Sequence, residues 1–312
     1  MPYETSEAVA VIGLGSMGLG MAGSLISAGM AVSGFDPAEA ALGNFTTAGG
    51  RAARNPADAA RDVAATVVVV VNAAQTETVL FGPEGVVPVM QRGGVVLSSA
   101  TMAPQDARRL AQRCQDAGIH YLDAPMSGGA GKAASGDLTI MASGTAEAFA
   151  QAQPVLDAIA ATVYRLGDAA GIGASFKMVN QLLAGVHIAA ACEAITFAKR
   201  LGLDIHKVFE VITASAGNSW MFENRIPHVL EGDYRPASAV DIFTKDLGIV
   251  AAMGLAAKFP TPLAAGALQL FLMTAAAGMG GDDDASVARL IAQVTGLDLP
   301  GITNKPGTTN KA

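Results

Sequence analysis

Aromatic residues are scarce in this chain, at 5% of its 312 positions, and only one of them is tryptophan. The core must be filled by Ala, Val, Leu, Ile and Met, and the 51% apolar share supplies them in quantity. Charge is thin as well: Asp, Glu, Lys and Arg make up 15%, the net charge is −7, and no run of Lys and Arg stands out. Nucleic-acid binding rests on clustered positive charge, so no such partner is expected. Only two cysteines occur, Cys114 and Cys192, far apart and in apolar helical patterns. That argues against a disulfide framework and fits a reducing compartment. No His, Cys and carboxylate cluster has ligand spacing, so no metal is expected.

Long hydrophobic runs are missing too. The longest pure one, Val67–Val71 with its flanks, is far short of a membrane span, and the apolar helix from Leu182 carries His187 and Glu193, which reads as burial in protein. Residues Met1–Glu7 have no basic stretch and no cleavage motif. No signal peptide is expected, no membrane partner, and a cytoplasmic location.

What is present is glycine, 36 residues of it, and a repeating strand–helix pattern. The β-type run Ala8–Ile12 leads into Gly13-Leu-Gly15-Ser-Met-Gly18 and then a helical pattern. In that context the glycines predict a dinucleotide turn. Gly13 would allow the tight turn, Gly15 would admit a pyrophosphate, and Gly18 would let helix pack on strand. The helix N-terminus, with its unpaired N–H groups, would face the phosphates. A second strand, Ala31–Phe35, ends in Asp36, 18 residues after Gly18. A carboxylate there would accept from the adenosine ribose hydroxyls and repel a 2′-phosphate, favouring NAD over NADP; Asp36-Pro37 also suits the start of the next helix, and both roles can hold.

Strands follow at Ala65–Val71 and Val95–Ser98, and the residues at their carboxyl ends, Asn72 and Thr101, fall where ligands bind in such sheets. Thr101 either touches cofactor or caps the helix near Pro104. Further on, a strand runs into Ser127-Gly128-Gly129, whose exposed N–H groups beside a hydroxyl make either a carboxylate cradle or an ordinary turn. Asp137–Ala142 and Thr162–Leu166 read as further strands. From Gly171 on the pattern is helical, with no convincing strand.

The expected fold is α/β: a Rossmann-type doubly wound domain over residues 1–170, then an all-α substrate and dimerisation domain over 171–300. A polar tail over 301–312 is expected to be mobile. A long apolar helix from Ser175 carries Lys177, with Asn180 and Gln181 three and four residues on and therefore on one face with it. An amine flanked by amides is either an acid/base group or a lysine reaching solvent from a helix start. Asn218 and Ser219 at a helix start are either caps or polar contacts to substrate. Lys245 beside Asp246 is either a solvated pair or part of the site.

Four motifs, in order, resemble the β-hydroxyacid dehydrogenases, the 3-hydroxyisobutyrate dehydrogenase-like family. They are the Gly13–Gly18 turn, Asp123-Ala-Pro-Met-Ser127-Gly128-Gly129, Gly171-x-Gly173-x-x-x-Lys177 and Lys245-Asp246-Leu247, and the resemblance spans about residues 8–298. It implies that Gly13, Leu14, Gly15, Ser16, Met17, Gly18, Asp36, Asn72, Thr101 and Lys245 meet the NAD cofactor. It implies that Ser127, Gly128 and Gly129 hold the carboxylate of a small hydroxy acid, and that Lys177 is the catalytic acid/base with Asn180 and Gln181 beside it. Gln181 departs from the family, where many members have asparagine. Three further runs, Gln181–His187, Ala216–Asn224 and Ser238–Leu247, narrow the expected substrate to a four-carbon sugar acid, with Asn218 and Ser219 on its distal hydroxyls. The other readings are 3-hydroxyisobutyrate, a semialdehyde, or a non-catalytic nucleotide sensor. The Ala/Gly-rich helices suggest a homodimer or homotetramer.

Overall fold

The computed structural model describes residues 8–301. The expectations for Met1–Glu7 and for the tail Ile302–Ala312 concern residues outside that range. The chain divides between Met178 and Val179 into two compact units.

The first unit alternates strand and helix. Its elements are β1 (Ala8–Ile12), α1 (Ser16–Ser27), β2 (Ala31–Phe35), α2 (Glu39–Thr47), β3 (Arg51–Ala52), α3 (Pro56–Ala60), β4 (Ala65–Val68), α4 (Ala73–Phe81), β5 (Val95–Ser98), α5 (Pro104–Asp116) and β6 (His120–Asp123). The six strands form one sheet in the order β3-β2-β1-β4-β5-β6, and every pair is parallel. Apolar runs replace alternation because both faces are covered. On β1, Val9 and Val11 pack into one core with Met21 and Leu25 of α1. Ala10 and Ile12 pack into the opposite core with Ala59 of α3 and Leu110 of α5.

Strand β4 stops at Val68, three residues earlier than the apolar run predicts. Its neighbour β1 ends at Ile12, where Gly13 turns the chain away at φ +94°. One more bond forms, from Val69 N–H to the Ile12 carbonyl, and beyond it Val70 and Val71 have no ladder to join.

After β6 come β7 (Met126–Ser127), α6 (Gly129–Ser135), β8 (Leu138–Ala142), α7 (Ala146–Ile159) and β9 (Ala160–Arg165). The segment expected to be a loop at Ser127–Gly129 is thus a strand end and a helix start. The strands β7-β8-β9 form a separate sheet, antiparallel then parallel.

Helix α8 (Ile172–Arg200, 29 residues) begins in the first unit and continues into the second. Lys199 and Arg200 in its last turn complement its dipole, and Gly202 at φ +77° ends it. Then follow α9 (Ile205–Thr213), α10 (Trp220–Glu231), α11 (Val240–Ala256), α12 (Pro262–Thr274) and α13 (Val287–Thr295). No strand occurs among the described residues here, only a single bridge between Ala239 and Asp283. Phe243 of α11 stacks on Phe271 of α12 at 5.1 Å. Gly185 of α8 lets Leu247 approach so closely that a Cβ would stand 2.8 Å from it. Ile172–Arg200 and Pro262–Met279 are long and apolar enough to cross a membrane; the former is 56% buried inside the protein.

Candidate active site

The glycine turn after β1 shows why each glycine is needed. A Cβ on Gly13 would lie 2.3 Å from the Val69 carbonyl oxygen, so only glycine fits. A Cβ on Gly18 would lie 1.8 Å from the Gly13 oxygen. The start of α1 therefore rests directly on the turn. Gly15 differs: a Cβ there meets nothing within 4 Å. Open space above Gly15, at the N-terminus of a 12-residue helix with no acid in its first turn, fits a pyrophosphate. Ser16 and Met17 stand in that first turn. Leu14 is only 1% exposed, its side chain in the core, and its N–H donates to Asp36 Oδ2 at 2.8 Å. It can meet a cofactor through backbone alone.

Asp36 thus braces the turn. Its Oδ1 also accepts from Ala38 N–H at 2.8 Å, which shapes the entry to α2. The carboxylate lines a cleft of about 700 Å³ with Gly13, Gly15, Val70 and Gln75. Asn72 caps α4 by accepting from Gln75 N–H at 2.9 Å, and Gln75 in turn accepts from Val71 N–H. Val71 and Gln75, not Asn72, line the cleft. Thr101 is half-buried just beyond β5.

The start of α8 is held by a carboxylate from another element. Asp123, at the end of β6 and 1% exposed, accepts through Oδ2 from Gly171 N–H at 2.8 Å, Ala174 N–H at 2.9 Å and Ser143 Oγ at 3.3 Å. Ser143 Oγ accepts from Gly173 N–H at 2.9 Å. Burial pushes the Asp123 carboxyl above its usual range, while the two N–H donors and Ser143 pull the other way. A Cβ on Gly173 would stand 2.3 Å from the Met141 oxygen, so the helix enters only as glycine. One turn later Lys177 donates from Nζ to the Met126 carbonyl at 2.8 Å. The amine is thereby fixed beside Ser127-Gly128-Gly129. Gly128 (φ +137°) and Gly129 (φ +76°) hold conformations that suit glycine, and the Lys132 stem lies against Gly128.

On the next turn of α8, Asn180 Nδ2 donates to Gln181 Oε1 at 2.9 Å. Gln181 Nε2 donates to Asp246 Oδ2 at 2.5 Å. Asp246 is fully buried on α11, and its other oxygen is paired with the Lys245 ammonium.

Comparisons with known proteins identify the family. Residues 8–167 match the model of the NAD binding domain of 6-phosphogluconate dehydrogenase. Residues 171–291 match that described as NAD-binding of NADP-dependent 3-hydroxyisobutyrate dehydrogenase. The L-threonate dehydrogenase of Cupriavidus necator is 51% identical over 95% of this chain and 99% of that protein. The chain belongs to the 3-hydroxyisobutyrate dehydrogenase-like family of β-hydroxyacid dehydrogenases. The L-threonate dehydrogenase of Escherichia coli K12 is 47% identical over 94% of this chain and 96% of its own. A crystal structure of a 3-hydroxyisobutyrate dehydrogenase from Salmonella typhimurium superposes with a TM-score of 0.88 at 48% identity, covering 91% of this chain and 99% of that one. As a β-hydroxyacid dehydrogenase the protein is an oxidoreductase acting on CH–OH with a nicotinamide dinucleotide.

Two expected substrate contacts of this dehydrogenase have local work. Ser219 caps α10 by accepting from Phe222 N–H at 3.1 Å. Asn218 Nδ2 donates to the Thr213 carbonyl at 3.1 Å and to Glu223 at 2.5 Å, and its buried Oδ1 has no partner. Capping is the plain reading of a serine at a helix start, and here it holds for Ser219.

Sequence reasoning missed two features. One is Asp123 as the cap of α8, whose signal was its place at the head of the Ser-Gly-Gly motif. The other is an ionic cluster around Asp282, Asp283 and Asp284, paired with Arg289 at 2.6 Å, His228 at 2.9 Å and Arg225 at 2.6 Å. Burial pushes Asp284 up to about 6, with Arg225 opposing. Burial would raise Asp283 too, but hydrogen bonds from His228 and from the Ala285 and Ala237 N–H groups leave it below the usual range. The Asp283 hydrogen bond raises His228.

Proposed function

We propose that the protein oxidises L-threonate to 2-dehydro-L-erythronate with NAD, and that Lys177 is the acid/base. The observation that carries the chemistry is the Lys177 amine on the Met126 carbonyl, one residue from Ser127. The observation that carries the substrate is the 51% identity to an L-threonate dehydrogenase along nearly the whole chain. When bound, the dinucleotide supplies the hydride acceptor. Ser127 Oγ and the N–H groups of Gly128 and Gly129 hold the substrate carboxylate. Lys177 takes the hydroxyl proton as the carbinol C–H leaves as hydride, and returns it in the reverse direction. Asn180 or Gln181 orients the hydroxyl, and Lys245 reaches the cofactor or substrate. Gly13, Gly15, Met17 and Gly18 form the pyrophosphate seat, and Asp36 selects NAD by repelling a 2′-phosphate.

The protein works in the cytoplasm as a homodimer or homotetramer. In support, Val179, Leu183, Phe197 and Leu201 are exposed along α8, an apolar row at helical spacing that a second copy would cover. A monomer by light scattering would refute the assembly.

A second reading, 3-hydroxyisobutyrate as substrate, is favoured by the name of the Salmonella structure and by the local bonds of Asn218 and Ser219. Initial rates with L-threonate and 3-hydroxyisobutyrate, each with NAD and NADP, decide between them by kcat/KM. Lys177→Ala is expected to abolish turnover and leave NADH binding nearly intact; near-normal turnover would sink the assignment of the lysine.

A further inference from the structure

We propose that Asp246 is a positioning residue that decides which of the two amides on α8 meets the substrate. By holding the Gln181 NH2, it turns the Asn180 oxygen outward as the acceptor for a hydroxyl next to the reacting one. The inference rests on the function proposed above and assigns a specificity element to it.

The reasoning is one of hydrogen-bond direction. A carboxylate paired with the Lys245 ammonium has only acceptor oxygens to offer. Gln181 must therefore present Nε2 to Asp246, and the flipped amide would set oxygen against oxygen at 2.5 Å. With Nε2 committed, Oε1 faces Asn180 and receives its Nδ2 at 2.9 Å. That leaves Asn180 Oδ1 as the outward end of the chain Asn180 to Gln181 to Asp246. Each donor in such a chain is polarised by the next, so the terminal oxygen becomes a better acceptor. Gln181 is 7% exposed and works internally, whereas Asn180 is half-buried and three residues from Lys177 on one helix face. Gln181 thus passes the orienting contact one position back, to Asn180. An acceptor there suits a polyol acid and gains nothing from a methyl group.

The test is Asp246→Asn, which both donates and accepts and so frees the amide polarity. The expected result is a KM for L-threonate raised about tenfold, a kcat changed by less than about threefold, and unchanged KM for 3-hydroxyisobutyrate. NADH binding by fluorescence stays the same. The double variant Asp246→Asn/Gln181→Glu moves the carboxylate to position 181, where one oxygen accepts from the new amide at position 246 and the other from Asn180 Nδ2. It is expected to bring KM for L-threonate back to within about threefold of the parent. An unchanged KM in the single variant, equal losses on both acids, or no recovery in the double variant overturns the proposal. Should Asp246→Asn unfold, the double variant is read alone, and a KM for L-threonate more than about threefold above that of the parent overturns the proposal. If the parent enzyme turns over neither acid, the underlying function falls and this inference with it. If the parent oxidises L-threonate and the variants do not discriminate, only the inference falls.

Discussion

Replacing Asp123 by alanine tests whether the acid/base helix is held from β6. The substitution strips the acceptor from two buried backbone donors, Gly171 N–H and Ala174 N–H, and from Ser143 Oγ. An unsatisfied buried donor costs about 1–3 kcal/mol, so the two N–H groups alone cost about 2–6 kcal/mol. Part is returned, because the burial that raises the Asp123 carboxyl is itself unfavourable and vanishes with it. A net loss of about 2–4 kcal/mol is expected. At a urea slope of about 2 kcal/mol per molar, that lowers the unfolding midpoint by roughly 1–2 M, read by circular dichroism. The functional effect is separable. Lys177 stands one turn beyond the cap, and a displacement of about 1 Å can cost about a hundredfold in rate. Asp123→Asn, which keeps one acceptor, is expected to fold and to lose kcat about 10- to 100-fold with a smaller change in KM. An alanine variant whose midpoint moves by less than about 0.3 M, with kcat unchanged, would refute the reasoning.

Two glycines of the turn should respond in opposite ways. Gly13→Ala meets the Val69 carbonyl at 2.3 Å and a φ of +94°, and should lose about 2–4 kcal/mol in thermal unfolding. Gly15→Ala meets nothing and should keep stability within about 0.5 kcal/mol, yet weaken dinucleotide binding by calorimetry; normal binding would place the pyrophosphate elsewhere. Asp36→Ser should lower KM for NADP and raise it for NAD in initial rates, and destabilise by about 1 kcal/mol because Leu14 N–H loses its charged acceptor. His228 is raised by its hydrogen bond to Asp283. Its contribution is complete below its unfolded pKa of about 6.5 and is lost as pH rises through the folded value. Between pH ~6.5 and ~8.5, above the value of about 6 for Asp284, Tm should fall in the parent and stay flatter in His228→Gln. Parallel slopes would remove His228 from the account.

Much of the fold was legible because its signals are local. The strand, glycine turn and helix at Ala8–Ser27 and the apolar runs of β4 and β5 read directly as a sheet buried on both faces. The end of β4 was not legible. Val69–Val71 are as β-prone as Val67, and the departure of β1 at Gly13, with β5 ending at Ser98, takes their partners away. Likewise Gly128 and Gly129 read as a loop, since nothing in their own composition reveals the helix that follows or the three-stranded sheet beside it.

The candidate site divides the same way. Residue type and short spacing were enough to set the chemistry in play: a dinucleotide turn, an acid at Asp36, one lysine with amides on its helix face, and a Ser-Gly-Gly segment. These groups act through their own backbone turn or helix, so a local pattern reveals them. What each group is bonded to emerged with the folded chain alone. Folding brought Asp123 to the start of α8 across 48 residues and Lys177 to Met126 across 51. It joined Gln181 to Asp246 across 65, and turned Ser219 into a cap. Hydrogen-bond direction depends on which acceptor arrives from a distant element, and no local pattern carries that information.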